Sequence, residues 1–102
     1  DYKKCDVVVC LSHLGFKYEN DKVSDMVLAK KSLGIDVIIG GHTHTFLDKV
    51  TIVKNRENKD VAVAQVGWAG IRLGKIEITT YRNSNEKTIT SATVNITDKS
   101  QF

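Results

Sequence analysis

A chain of 102 residues with 41% hydrophobic content is long enough for one small domain and too apolar to remain disordered. Its formal charge of +3 is scattered, with no basic run longer than a pair such as Lys3-Lys4 or Lys30-Lys31, which argues against a dedicated nucleic-acid surface. No apolar run approaches membrane-spanning length and the first five residues hold no signal-peptide core, so a chain complete as it stands would be cytoplasmic.

The first element is the run Val7-Val8-Val9-Cys10-Leu11 after Asp6, continuously apolar as in a parallel strand covered on both faces. Cys5 and Cys10 flank this run, which would hold them on the order of 16 Å apart, so they read as two separate thiols. Residues 12–21 form a loop carrying Gly15, with Asn20 or Asp21 as the cap of the next element. Val23, Met26, Val27 and Leu33 recur at helical spacing and Gly34 supplies a stop, predicting an amphipathic helix of about three turns.

A second β-branched strand, 35–39, ends in Gly40-Gly41-His42-Thr43-His44-Thr45. Strand, helix and strand over about thirty residues make a βαβ unit with parallel strands. The pattern then changes to alternation. Residues 49–53 and 61–66 are strands around the polar turn 55–59, residues 66–70 a glycine-flanked loop, and residues 73–79 and 88–97 a second hairpin turning at 83–86. The fold class is therefore α/β, a βαβ unit followed by mostly antiparallel strands.

All three histidines fall in loops after the two parallel strands: His13 after the first, His42 and His44 after the second. Parallel strands bring their carboxyl ends to one edge, where open α/β sheets place their sites. The three imidazoles are thus expected on one edge, and they make a candidate metal site. In an extended segment His42 and His44 would point the same way, about 6–7 Å apart at Cβ, able to clamp one ion or reach two. Carboxylates are the missing part. Asp36 stands at the wrong end of its strand, roughly 15 Å of chain from that edge, while Glu19 and Asp21 read as capping and solvated residues. A Ser12–His13 nucleophile pair is disfavoured, because chain neighbours rarely reach each other and no buried acid is evident to orient the base. Trp68 reads as a packing residue, Phe16 and Tyr18 as possible borders of a substrate site, and Asn95-Ile96-Thr97 as a short glycosylation match of little weight.

Ser12-His13-Leu14-Gly15, the helix, the segment Gly34-Ile35-Asp36-Val37-Ile38-Ile39-Gly40-Gly41-His42-Thr43-His44-Thr45, and the later Val66-Gly67-Trp68-Ala69-Gly70-Ile71-Arg72-Leu73-Gly74-Lys75-Ile76 together resemble the calcineurin-like metallophosphoesterases, most closely their 5'-nucleotidase branch. The resemblance runs over residues 6–79. It implies that His13 and His42 are ligands of one metal of a two-metal centre and His44 of the other, with Mn, Zn or Fe all compatible. It also implies hydrolysis of a nucleotide or other phosphomonoester. The family's D-x-H element, bridging aspartate, GNHD or GNHE element and nucleoside-binding second domain do not occur in these residues.

The resemblance accordingly describes the C-terminal half of a metallophosphoesterase β-sandwich flanked by helices, inactive alone, from an exported parent, with no catalytic residue in this chain. Two other readings stand beside it: a non-catalytic module holding one structural or regulatory ion, and a small pH-sensing domain built on the same histidines. A half-domain would leave apolar surface and strand edges exposed, so self-association is expected.

Overall fold

The computed structural model describes residues 5–84 and 86–96. Four strands form one mixed sheet in the order β1-β2-β4-β3: β1 (Val9–Leu11), β2 (Val37–Ile39), β3 (Thr51–Lys54) and β4 (Asp60–Ala64). The helix α1 (Asp25–Lys31) links β1 to β2, which pair in parallel with Cys10 opposite Ile38, giving the expected βαβ unit. β3 and β4 form the expected hairpin. Its turn is built on Asn55, whose buried Oδ1 accepts from the backbone of Glu57 and Lys59. β4 returns alongside β2 in parallel, Val63 opposite Ile38, a pairing that alternation alone does not reveal. The second hairpin, β5 (Arg72–Thr80) and β6 (Lys87–Asn95), is a separate antiparallel ribbon with Ile78 opposite Ile89. Asn85 in its turn and Thr97, the expected end of the last strand and of the glycosylation match, lie outside the described residues.

Successive strand residues point to opposite faces, and the sheet uses both. One face packs Ile38, Val53, Val61 and Val63 against Ala29 of α1, all at most 5% exposed, with Cys10, Phe16, Met26, Leu28 and Ile35 around them. Val37 and Ala62, partners in register, are buried on the other face. That face looks toward the ribbon. Ile39, Val50, Ala64, Leu73, Ile76 and Ala92 line one cavity between the two layers, of about 240 Å³. Polar ties fix the layers together: Lys87 Nζ meets Asp36 Oδ1 at 2.9 Å, and Val50 N donates to Ser91 Oγ at 2.9 Å.

Three expectations are corrected. α1 has two turns rather than three, and its cap is Ser24, whose Oγ accepts from Val27 N, not Asn20 or Asp21. Asn20 instead closes a local turn by accepting from Lys22 N, and Val23 and Leu33 remain exposed outside the helix. The parallel strands are shorter than their apolar runs, because the Asp36 side chain takes the amide of Val8. β1, expected to be covered on both faces, is instead an edge strand, with Val9 47% and Leu11 80% exposed, while its neighbour β2 buries Val37 on one face and Ile38 on the other.

Candidate metal centre

The carboxyl ends of β1, β2 and β4 lie side by side, and the loops leaving them are tied together before any side chain is considered. Ser12 N donates to Ile39 O and Gly40 N to Ala64 O. Gln65, 3% exposed and the first residue after β4, reaches across the 41–45 loop: its Oε1 accepts from Thr45 N and its Nε2 donates to Gly41 O. Thr43 Oγ1 accepts from Phe16 N at 3.0 Å, joining this loop to the one that carries His13.

The segment holding His42 and His44 is not extended. His42 has φ 73° and His44 φ 52°, and Thr43 N bonds back to Gly41 O in a three-residue turn about His42. Left-handed backbone at non-glycine residues is unfavourable and persists where surrounding bonds enforce it, as the Gln65 clamp does here. Its consequence is that the two imidazoles of this loop diverge, against the expectation of parallel side chains.

His42 turns to His13. Its Nδ1 lies 3.2 Å from His13 Nε2, with ring centroids 4.9 Å apart and planes inclined by 71°. His44 turns away and stacks on Trp68 at 6.1 Å between centroids, planes 18° apart. So the three histidines share the edge, but two of them meet. Among the described residues no three His, Cys, Asp or Glu side chains gather to hold an ion.

The pair itself fits a metal. Two imidazole nitrogens bound to one ion at about 2.0–2.1 Å lie about 2.8–3.4 Å apart for coordination angles from a right angle to the tetrahedral value. The observed 3.2 Å falls within that range. Gly41 permits the approach, since a β-carbon there would stand 3.3 Å from His13 Nδ1.

Sequence reasoning missed Gln65, Thr43 and above all Asp25. Asp25 is wholly buried at the start of α1, and Ser12 Oγ donates to its Oδ1 at 2.6 Å. A buried acid does therefore stand beside the His13 turn, though it holds Ser12 rather than the imidazole. In the sequence an acid in a first helical turn reads only as a complement to the helix dipole. Trp68 is 55% exposed, so it is not the packing residue expected; Gly67 beside it is instead pressed against the Phe46 ring, and Arg72 lies over that ring 5.0 Å from its centre. Phe16 packs against the core, Tyr18 bonds Leu14 O, and Glu19 and Asp21 are exposed. Asp36 sits at the far end of β2, as its sequence position requires.

No protein-family model matches the chain. It is 41% identical over 76 residues to the trifunctional nucleotide phosphoesterase protein YfkN of Bacillus subtilis (strain 168), a match covering 74% of this chain and 5% of that protein. It is 40% identical over 42 residues to a 5'-nucleotidase of Diplobatis ommata, covering 41% of this chain and 6% of that one. The crystal structure of a 5'-nucleotidase precursor from Thermus thermophilus superposes with a TM-score of 0.73 at 27% identity, over 93% of this chain and 20% of that chain. The chain is thus homologous to 5'-nucleotidases and nucleotide phosphoesterases, in line with the resemblance its motifs carry. It spans a small part of the length of each relative it matches.

Proposed function

We propose that this chain is the histidine-bearing, C-terminal half of a metallophosphoesterase domain, and that the complete domain hydrolyses phosphomonoesters, foremost nucleotides. The observation that carries the reading is the 3.2 Å approach of His13 Nε2 and His42 Nδ1, a spacing suited to two ligands of one divalent ion. His13 and His42 would hold one ion and His44 a second; Mn, Zn and Fe all accept such donors. Ions held there would supply an activated water and charge neutralisation at phosphorus. The role of this chain's residues is to bind and orient: Gln65 and Thr43 hold the His42 loop, and Trp68 covers one face of His44. None of them is assigned a proton transfer. The names of the relatives, nucleotide phosphoesterase and 5'-nucleotidase, support the substrate class, and the precursor form of the Thermus relative supports export of the parent. No helix among the described residues is long and apolar enough to cross a membrane. The open edge of β1, with Leu11 and Val9 exposed, supports a further half of the sheet on that side.

One observation favours a second reading, a non-catalytic module holding a single ion: two histidines meet and the third faces Trp68. Metal content separates the two. After equilibration with Mn and Zn and extensive dialysis, the chain alone is expected to keep at most one weakly held ion, lost in His13→Ala and His42→Ala. Joined to the upstream half, it is expected to keep two ions and release phosphate from a nucleoside monophosphate. One ion and no hydrolysis in the joined protein would favour the second reading, and retention of metal without either histidine would sink both.

A further inference from the structure

We propose that Asp25 is the positioning residue of the histidine pair, a buried carboxylate that ties the His13 turn to the start of α1 and packs against the glycine that leads into the His42 turn. The inference rests on the metal-site reading for its purpose but not for its geometry. Asp25 bonds both sides of His13. Its Oδ1 accepts from Ser12 Oγ at 2.6 Å, and its backbone N donates to Gly15 O at 2.7 Å. The Ser12 hydroxyl in turn accepts from Leu14 N at 3.2 Å, so residues 12–15 are held by the side chain and the backbone amide of one residue. The same carboxylate reaches the other turn. Its Oδ2 lies against Gly40, where any β-carbon would collide with it, and Gly40 is two residues before His42.

The second observation is the state of that oxygen. Asp25 is 0% exposed, yet Oδ2 has no hydrogen-bond partner among the described residues. Burying a carboxylate oxygen without a donor is unfavourable, and a small apolar side chain there would carry no such penalty. Packing alone therefore does not account for an acid here. What an apolar side chain could not supply is the acceptor for Ser12, and through it the fixed turn that aims His13 at His42. This is the arrangement of an outer partner that orients a ligand it does not itself replace.

The experiment reads the ring pair first without metal. In the metal-free full chain, proton NMR is expected to show nuclear Overhauser contacts between the His13 and His42 rings. Asp25→Ala, which removes the carboxylate without adding volume, is expected to stay folded while losing those contacts. Should Asp25→Ala fail to fold, Ser12→Ala removes the same tie without touching the core and is expected to lose the contacts too, with Ser12→Thr restoring them. Zinc titration of the same proteins is expected to show affinity falling about 10–100-fold with loss of the tie and recovering in Ser12→Thr. Contacts that persist in Ser12→Ala, or that are absent from the parent chain, overturn the positioning role. Contacts that are lost as expected, in a parent that binds no zinc, leave that role standing and remove the metal-site reading alone.

Discussion

The side chain on which the candidate site depends most visibly is an amide. Gln65 satisfies the Thr45 amide and the Gly41 carbonyl, and thereby holds His42 and His44 in left-handed conformations that the isolated loop would leave. Gln65→Leu leaves the Thr45 amide without its acceptor and the Gly41 carbonyl with Thr43 N as its remaining donor, so it is expected to lower stability by about 1–3 kcal/mol in urea denaturation. It should also separate the His13 and His42 rings. An unchanged denaturation midpoint would mean that the loop holds its shape without the clamp. At this scale the candidate ligands are visible in the sequence and the residues that hold them are not: the three histidines are conspicuous as the only ones in 102 residues, whereas Gln65 and Asp25 acquire their meaning from neighbours 20 and 13 positions away, Thr45 and Ser12.

At the scale of elements, α1 is short because its ends are set by two serines. Ser24 caps the first turn, and Ser32 closes the last by bonding Ala29 O. Ser24→Ala is expected to cost about 0.5–2 kcal/mol, while Asp21→Ala changes the thermal midpoint little. The reverse order would restore the cap that the sequence alone suggests. The ribbon depends on a different contact. Asp36 accepts from Val8 N and pairs with Lys87, so one carboxylate joins the sheet edge to β6. Asp36→Ala is expected to cost about 1–3 kcal/mol and to speed hydrogen exchange at Val8 more than at Val63 in the core. Equal protection at Val8 in both proteins would show that the ribbon docks without it. Hairpins and helix were legible here because amphipathic period and turn residues are local. The parallel return of β4 beside β2 was not, since a strand's partner is decided by which apolar faces remain to be buried.

For the whole molecule, the two layers bury Val37 and Ile38 completely, while one strand away Leu11 is 80% exposed on an open edge. An apolar edge strand of this kind is a template for pairing. The chain alone is therefore expected to self-associate as concentration rises, and Leu11→Lys is expected to hold it monomeric in light scattering without lowering its melting midpoint. A parent chain monodisperse at high concentration would contradict this.

Residue identity and spacing by themselves determined the βαβ unit, the two hairpins, the edge on which the histidines gather and the resemblance to 5'-nucleotidases, because periodicity, turn chemistry and motif spacing are written along the chain. Only the tertiary structure decided that His42 meets His13 while His44 meets Trp68. A buried amide and a buried carboxylate, each bonded to residues distant in sequence, set the backbone of those loops, and no pattern along the chain encodes a distance across it.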